Sequence, residues 1–239
     1  MAVSSHALTG EYVSVDGANG YLVQPVETAQ AGVLLLPHVD GLKDEMRETA
    51  AEFAGLGYAA FVWDPYPGVN ADVTPREQLP PLADDDTCKE QSRCLSYLRE
   101  TVGVQRVGAI GWCMGGRMAL VFAAREPRLN ACVAFFPSMR TERKAGEVDA
   151  SVEAANTQCP LQVHWGTHDH VTSPATFNRY RDAVAASKHP TCINVFPGAD
   201  HGFLNPERHN TNPANIIATK ISWPQTLAFF DSNLSPEGH

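Results

Sequence analysis

The sequence predicts an α/β fold with a mainly parallel sheet, helices on both faces and an antiparallel N-terminal edge. Three observations predict it. Along the 239 residues, apolar runs of strand length alternate with segments of helical periodicity, the order that crossover-connected parallel strands require. The run at 32–36 is continuously apolar, as a strand covered on both faces is. Near the start, two strand-like runs flank Asp16-Gly17-Ala18-Asn19-Gly20, rich in turn formers, and so read as a hairpin.

In order, residues 11–15 and 21–23 are the expected hairpin strands, and 32–36 the first covered strand. Pro37-His38-Val39-Asp40-Gly41 follows it, at the end where an open α/β sheet carries functional loops. Met46, Ala50, Phe53 and Ala54 lie on one face of a helix over 44–56, with Gly55 and Gly57 near its end. A strand at 58–63 runs into Asp64, and the proline-rich, acidic stretch that follows predicts a lid-like loop at about 65–87. Cys88, Leu95, Leu98 and Val102 share a helical face.

The run at 107–110, the turn Gly111-Trp112-Cys113-Met114-Gly115-Gly116 and a helix from Met118 come next, then a buried strand at 131–136. Residues 138–158 are polar, without a clear period. A strand at 161–165 ends in Gly166-Thr167-His168-Asp169-His170. Ser173-Pro174 supplies a cap and a first-turn proline for a helix whose face is Phe177, Tyr180 and Val184. A strand at 192–196 precedes Gly198-Ala199-Asp200-His201-Gly202, and a last helix starts near Asn212-Pro213, with Pro224 expected to break or kink it at Trp223. No internal repeat is visible, and residues 1–239 are expected to form a single domain.

The formal net charge of −9 comes with scattered lysine and arginine and no basic stripe, so neither nucleic acid nor an anionic membrane is an expected partner. No apolar stretch reaches the ~20 residues of a membrane helix, and no signal pattern opens the chain. A cytoplasmic monomer or small homo-oligomer is expected. Cysteines at 88, 94, 113, 132, 159 and 192 read as reduced thiols, since none forms a Cys-x-x-Cys pair and the chain is long enough to build a core without disulfides.

Glycines two before and two after Cys113 allow a tight strand-to-helix turn that presents one side chain above the sheet edge. At a helix N-terminus the backbone dipole favours an anion, which suits Cys113 to act as a thiolate nucleophile. Such a nucleophile needs a base and an acid to orient it, in the chain order nucleophile, acid, histidine. Asp169 and His201 supply that order, each after a strand. Asp64 precedes the turn and reads as structural, while Asp200 is too close along the chain to reach round His201. His164, His168, His170 and His201 could be imagined around zinc or copper, but their spacings match no familiar site, so no metal and no cofactor is expected.

These residues resemble the dienelactone hydrolase family of α/β-hydrolases across nearly the whole chain, from Val33 to Phe230. The resemblance is carried by Met46-Arg47-Glu48-Thr49, Gly57-Tyr58-Ala59-Ala60, the Cys113 turn, Gly166-Thr167-His168-Asp169-His170, Gly198-Ala199-Asp200-His201-Gly202-Phe203 and Thr226-Leu227-Ala228-Phe229-Phe230. It implies an α/β-hydrolase fold, Cys113, Asp169 and His201 as a catalytic triad, and the amides of Val39 and Met114 as an oxyanion hole. Where the family has a glutamate that meets the thiol, this chain has His38. Where the family has a substrate-binding arginine four residues after the histidine, it has Asn205, with Arg208 or Arg76 as candidate replacements. Trp112 completes the candidates for substrate binding. The expected activity is hydrolysis of a lactone or small carboxylic ester through a thioester. A non-hydrolytic thiol sensor or binding protein on the same scaffold is the alternative.

Overall fold

The computed structural model describes residues 8, 10–29, 31–69 and 73–235. Strands β1 (Glu11–Val15), β2 (Ala18–Val23), β3 (Ala31–Leu36), β4 (Tyr58–Asp64), β5 (Arg106–Trp112), β6 (Ala131–Phe135), β7 (Leu161–His168) and β8 (Thr191–Asp200) form one sheet in the order β1-β2-β4-β3-β5-β6-β7-β8. The pairs β1·β2 and β2·β4 are antiparallel and the other five parallel, so the antiparallel edge is N-terminal as expected. This is an α/β-hydrolase fold.

Helices α1 (Asp44–Gly55), α2 (Asp84–Tyr97), α3 (Met114–Arg125), α4 (Ala150–Glu153), α5 (Pro174–Val184) and α6 (Pro213–Leu234) cover both faces. Successive side chains of a strand point to opposite faces, and the sheet divides its apolar residues accordingly. Leu34, Leu36, Ala109 and Ala134 pack with Leu95, Leu120 and Tyr180 of α2, α3 and α5. Val33, Leu35, Ile110 and Val133 pack with Phe53 of α1 and with Phe230 and Leu234 of α6. Burying each such Leu, Val or Phe contributes roughly 1.5–3 kcal/mol, and continuously apolar strands are what a two-sided core demands.

Local signals account for the helix starts. Ser173 Oγ accepts from Thr176 N at 3.2 Å, and Asn212 Oδ1 from Ala214 N at 3.1 Å, each followed by a proline at the first helical position. Asp84, Asp85 and Asp86 in the first turn of α2 face the positive end of its dipole. None of the described helices is long and apolar enough to cross a membrane.

Several expectations need correction. Pro224 does not break the last helix, which runs unbroken from Pro213 to Leu234. The buried positions Ser222, Thr226, Phe230 and Leu234 continue one stripe past the proline, so packing outweighs the single lost backbone donor. Strands β7 and β8 run on to His168 and Asp200, past the apolar runs, because pairing through a bulge between Gly166 and His168 continues with polar residues. The ambiguous stretch 138–158 contains the short helix α4 and a 3₁₀ turn at Ala154–Asn156. In the expected lid, residues 70–72 lie outside the described residues, a 3₁₀ turn spans Arg76–Gln78, and α2 has already begun at Asp84.

Candidate active site

Cys113 is the hinge between β5 and α3, with φ 55° and ψ −112°, a conformation rare for a side-chain-bearing residue. Holding it costs on the order of 1–3 kcal/mol, and the surroundings enforce it. Cys113 N donates to Phe135 O at 3.1 Å, and Cys113 O accepts from Arg117 N at 3.0 Å and from Ser138 N at 2.9 Å. The flanking glycines are required by contact. A Cβ at Gly111 would lie 2.1 Å from Gly115 O, and one at Gly115 would lie 2.0 Å from Leu36 O. The turn therefore presses the start of α3 against the end of β3 and leaves the thiol in a cavity of about 900 Å³.

Asp169 and His201 follow β7 and β8, whose neighbouring C-terminal ends bring them together. Asp169 Oδ1 accepts from Val171 N at 2.7 Å and Thr172 N at 2.8 Å, which fixes the carboxylate. Its Oδ2 accepts from His201 Nδ1 at 2.9 Å. Burial lowers the pKa of His201, but the bond to Asp169 and the neighbouring Cys113 sulfur outweigh burial and raise it to about 9. The second ring nitrogen, Nε2, makes no hydrogen bond of ordinary geometry among the described residues and has the Cys113 sulfur as a neighbour. Phe136 stands edge-on to the imidazole, ring centres 5.2 Å apart, and both rings line the cavity with Cys113.

Val39 and Met114 border the same cavity, and neither amide donates a hydrogen bond within the described residues. Each lies beside a strand end, Val39 in the loop after β3 and Met114 at the first position of α3, where backbone N–H groups have no helical acceptor. The site thus joins a thiol, an imidazole and a buried carboxylate, with two backbone amides that donate no hydrogen bond among the described residues.

The remaining candidates have varied positions. His38 lines the cavity but does not pair with Cys113: its Nε2 meets the Glu45 carboxylate, and its Nδ1 faces Asp40 Oδ2 at 3.2 Å. Asn205 lines the cavity while its side chain caps Glu207 N at 2.9 Å. Arg208, also in the lining, donates to His201 O at 2.9 Å. Trp112 lines the cavity and stacks on Phe135, ring centres 6.4 Å apart. The Arg76 side chain lies outside the described residues.

Sequence reasoning missed Ser138, Arg140, Lys144 and Glu45, all in the cavity wall, and weighed His170, also in that wall, only as a metal ligand. The loop carrying Ser138, Arg140 and Lys144 is tied down by a buried ion pair. Arg117 Nη1 and Nη2 donate to the two oxygens of Asp84 at 2.8 and 2.6 Å, and Asp84 Oδ2 also accepts from Val148 N at 2.6 Å. An irregular polar segment carries no period to betray such an arrangement.

The competing residues serve elsewhere. Asp64 accepts from Tyr66 N at 3.0 Å, and Asp200 from Asn212 and Asn215 at 2.8 and 3.0 Å. His164 is stacked on Phe135 in the core, where burial pushes its pKa down to about 3. Among the described residues no group of three or more His, Cys, Asp or Glu is placed to hold a metal ion.

The model of the dienelactone hydrolase family matches residues 18–234. A carboxymethylenebutenolidase of Rhodococcus opacus is 26% identical over 213 residues, 85% of this chain and 81% of the relative. Among solved structures, a dienelactone hydrolase-like promiscuous phosphotriesterase from metagenomic libraries aligns with TM-score 0.76 and 24% identity, over 96% of this chain and all of the other. The dienelactone hydrolase of Anabaena variabilis aligns with TM-score 0.68 and 19% identity, over 96% and 100% of the two chains. These two structures support the fold.

Proposed function

This chain belongs to the dienelactone hydrolase family, and from that premise we propose that it hydrolyses a lactone or a small carboxylic ester through a thioester on Cys113. The observation that carries the reading is the meeting of two strand-end residues in one cavity wall, Cys113 after β5 and His201 after β8, with Asp169 after β7 behind the imidazole, its Oδ2 2.9 Å from His201 Nδ1.

In the proposed cycle the buried carboxylate holds a proton on Nδ1 and favours the imidazolium, so Nε2 accepts the thiol proton and the sulfur is a thiolate. The thiolate attacks the carbonyl carbon, and the electron pair displaced onto oxygen is met by the amides of Val39 and Met114. Preformed donors of this kind are each worth on the order of 100-fold or more in rate. As the tetrahedral adduct collapses, the C–O bond to the leaving group breaks and Nε2–H protonates the departing alkoxide or enolate. Water, deprotonated by the now neutral Nε2, then cleaves the thioester, and the acid leaves with the thiol restored. An ester or lactone suits this order because an enolate or alkoxide departs more readily than an amine. A cavity of about 900 Å³ suits a small molecule.

Intact-mass analysis after mixing with activated esters and lactones tests the proposal. The expected result is an adduct of one acyl group on the wild type and none on Cys113→Ala, with turnover lost in that variant. Full turnover by Cys113→Ala would refute it.

A further inference from the structure

The one-residue step between His38 and Val39 places an imidazole clasp directly on the loop that supplies an oxyanion amide. Resting on the proposed thioester cycle, we propose that His38 and Glu45 act as a positioning pair that aims the Val39 amide, and that they leave the reactivity of the Cys113 thiol unchanged.

The loop from Pro37 to Lys43 leaves β3 and enters α1. Its backbone bonds lie towards its helix end: Gly41 N donates to His38 O at 3.0 Å and Lys43 N to Gly41 O at 3.1 Å, with Gly41 at φ 73°, and Lys43 O accepts from Met46 N and Arg47 N at 3.0 and 3.2 Å. Val39 adds no amide bond to that set. The His38 side chain adds a restraint on both sides of Val39. Its Nε2 reaches forward to the Glu45 carboxylate in the first turn of α1. Its Nδ1 turns back to Asp40, within 3.2 Å of both the amide N and carboxylate Oδ2 of that residue. Val39 lies between the two residues so joined. The Glu45 carboxyl is held below its usual range chiefly by the bond from His38, so the charged form is the one in the clasp.

The geometry also argues against a role in activating the sulfur. A side chain that modulated the thiol would turn a ring nitrogen towards Cys113, and here both ring nitrogens face carboxylates of Asp40 and Glu45. Glu45 is itself part of the cavity wall, so the clasp borders the substrate without touching the nucleophile. Amide donors stabilise charge only where they point at the position the oxyanion will occupy, so a loosened loop raises the barrier to acylation. Alkylation of a thiolate by iodoacetamide forms an S–C bond and expels iodide without building an oxyanion, so it is blind to Val39.

That difference makes the test. Single-turnover acylation of Cys113 by an activated ester and alkylation of Cys113 by iodoacetamide are measured side by side in wild type, His38→Ala, His38→Gln, Glu45→Ala and the double Ala variant. Acylation is expected to fall at least tenfold in His38→Ala and in Glu45→Ala, while alkylation stays within about twofold. His38→Gln, which keeps an N–H for Glu45, should recover part of the loss, and the double variant should be no slower than the worse single one. Glu45 is on the surface side of the clasp, so Glu45→Ala carries the test if His38→Ala fails to fold. Unchanged acylation in both single variants overturns the inference, as does a parallel loss of alkylation, which would make His38 a modulator of the thiol. Failure of the underlying reading looks different: the wild type itself would give no acyl adduct on Cys113.

Discussion

Replacing Asp169 with asparagine changes one atom and should nearly silence the enzyme. Two backbone amides, Val171 N and Thr172 N, converge on Oδ1 at 2.7 and 2.8 Å, so an asparagine must keep its carbonyl oxygen there. Its NH₂ then occupies the place of Oδ2, 2.9 Å from His201 Nδ1. Two donors cannot face each other, so Nδ1 becomes the acceptor, the proton moves to Nε2, and Nε2 can no longer take the thiol proton. A wrong tautomer in the serine-protease triad costs about 10⁴ in kcat, which is about 5 kcal/mol of barrier, and a loss of 10³–10⁴ in kcat/KM is expected here. Since Asp169 and Cys113 outweigh the opposing effect of burial to raise His201 to about 9, the wild-type rate should fall off above pH 9, and in Asp169→Asn that limb should move to lower pH. The folded pKa lies above the unfolded 6.5, so the stabilisation is fully present below pH 6.5 and lost as pH rises through about 9. It is on the order of 3 kcal/mol, shared with Cys113. The variant should therefore lose most Tm near pH 5–6 and little near pH 10. Stopped-flow ester hydrolysis and thermal unfolding across pH 5–10 measure both effects. Retention of a tenth of kcat/KM with an unmoved alkaline limb would refute the reasoning.

Two further predictions concern the scaffold of the site. Asp84→Ala strands the buried Arg117 guanidinium and the Val148 amide, which should cost about 3–5 kcal/mol and lower Tm by roughly 6–20 °C. Replacing the pair together, Asp84→Leu with Arg117→Met, should recover much of that loss in calorimetry. Gly115→Ala drives a methyl group to 2.0 Å from Leu36 O, so it should abolish Cys113 acylation even where circular dichroism shows a folded chain, and normal acylation would contradict the packing described.

Most of the fold was legible because the core is two-sided. A strand such as β3, buried at every position, must be apolar throughout, and that run is visible without knowing its partners. The ends of β7 and β8 were not, since His168 and Asp200 are held by pairing rather than by burial of apolar side chains. Pro224 misled for the reverse reason: a local rule about a missing donor was overridden by a buried stripe on both sides of it. At the site, Cys113, Asp169 and His201 could be named because each directly follows a strand in a glycine-marked turn. Arg140 and Lys144 could not, because what brings them to the cavity is the ion pair between Arg117 and Asp84, 33 positions apart.

The two amides deserve a different explanation from the side chains. A glycine at 115 lets the first turn of α3 touch the carbonyl of Leu36, and this contact is possible only because β3 and β5 are neighbours in the sheet. Met114 and Val39 are therefore brought to the wall of one cavity by strand order and by the absence of a single Cβ, and the proposed His38–Glu45 clasp refines the aim of the Val39 amide. Asp169 and His201 are brought together in the same way by the adjacency of β7 and β8. In the proposed cycle the carbonyl chemistry thus draws on groups at strand ends, while other residues of the cavity wall, among them Arg140, Lys144 and Asn205, sit on loops. Substitution of a loop residue such as Lys144 should change KM between substrates more than kcat, whereas changes at 111, 113 or 115 should strike every substrate alike.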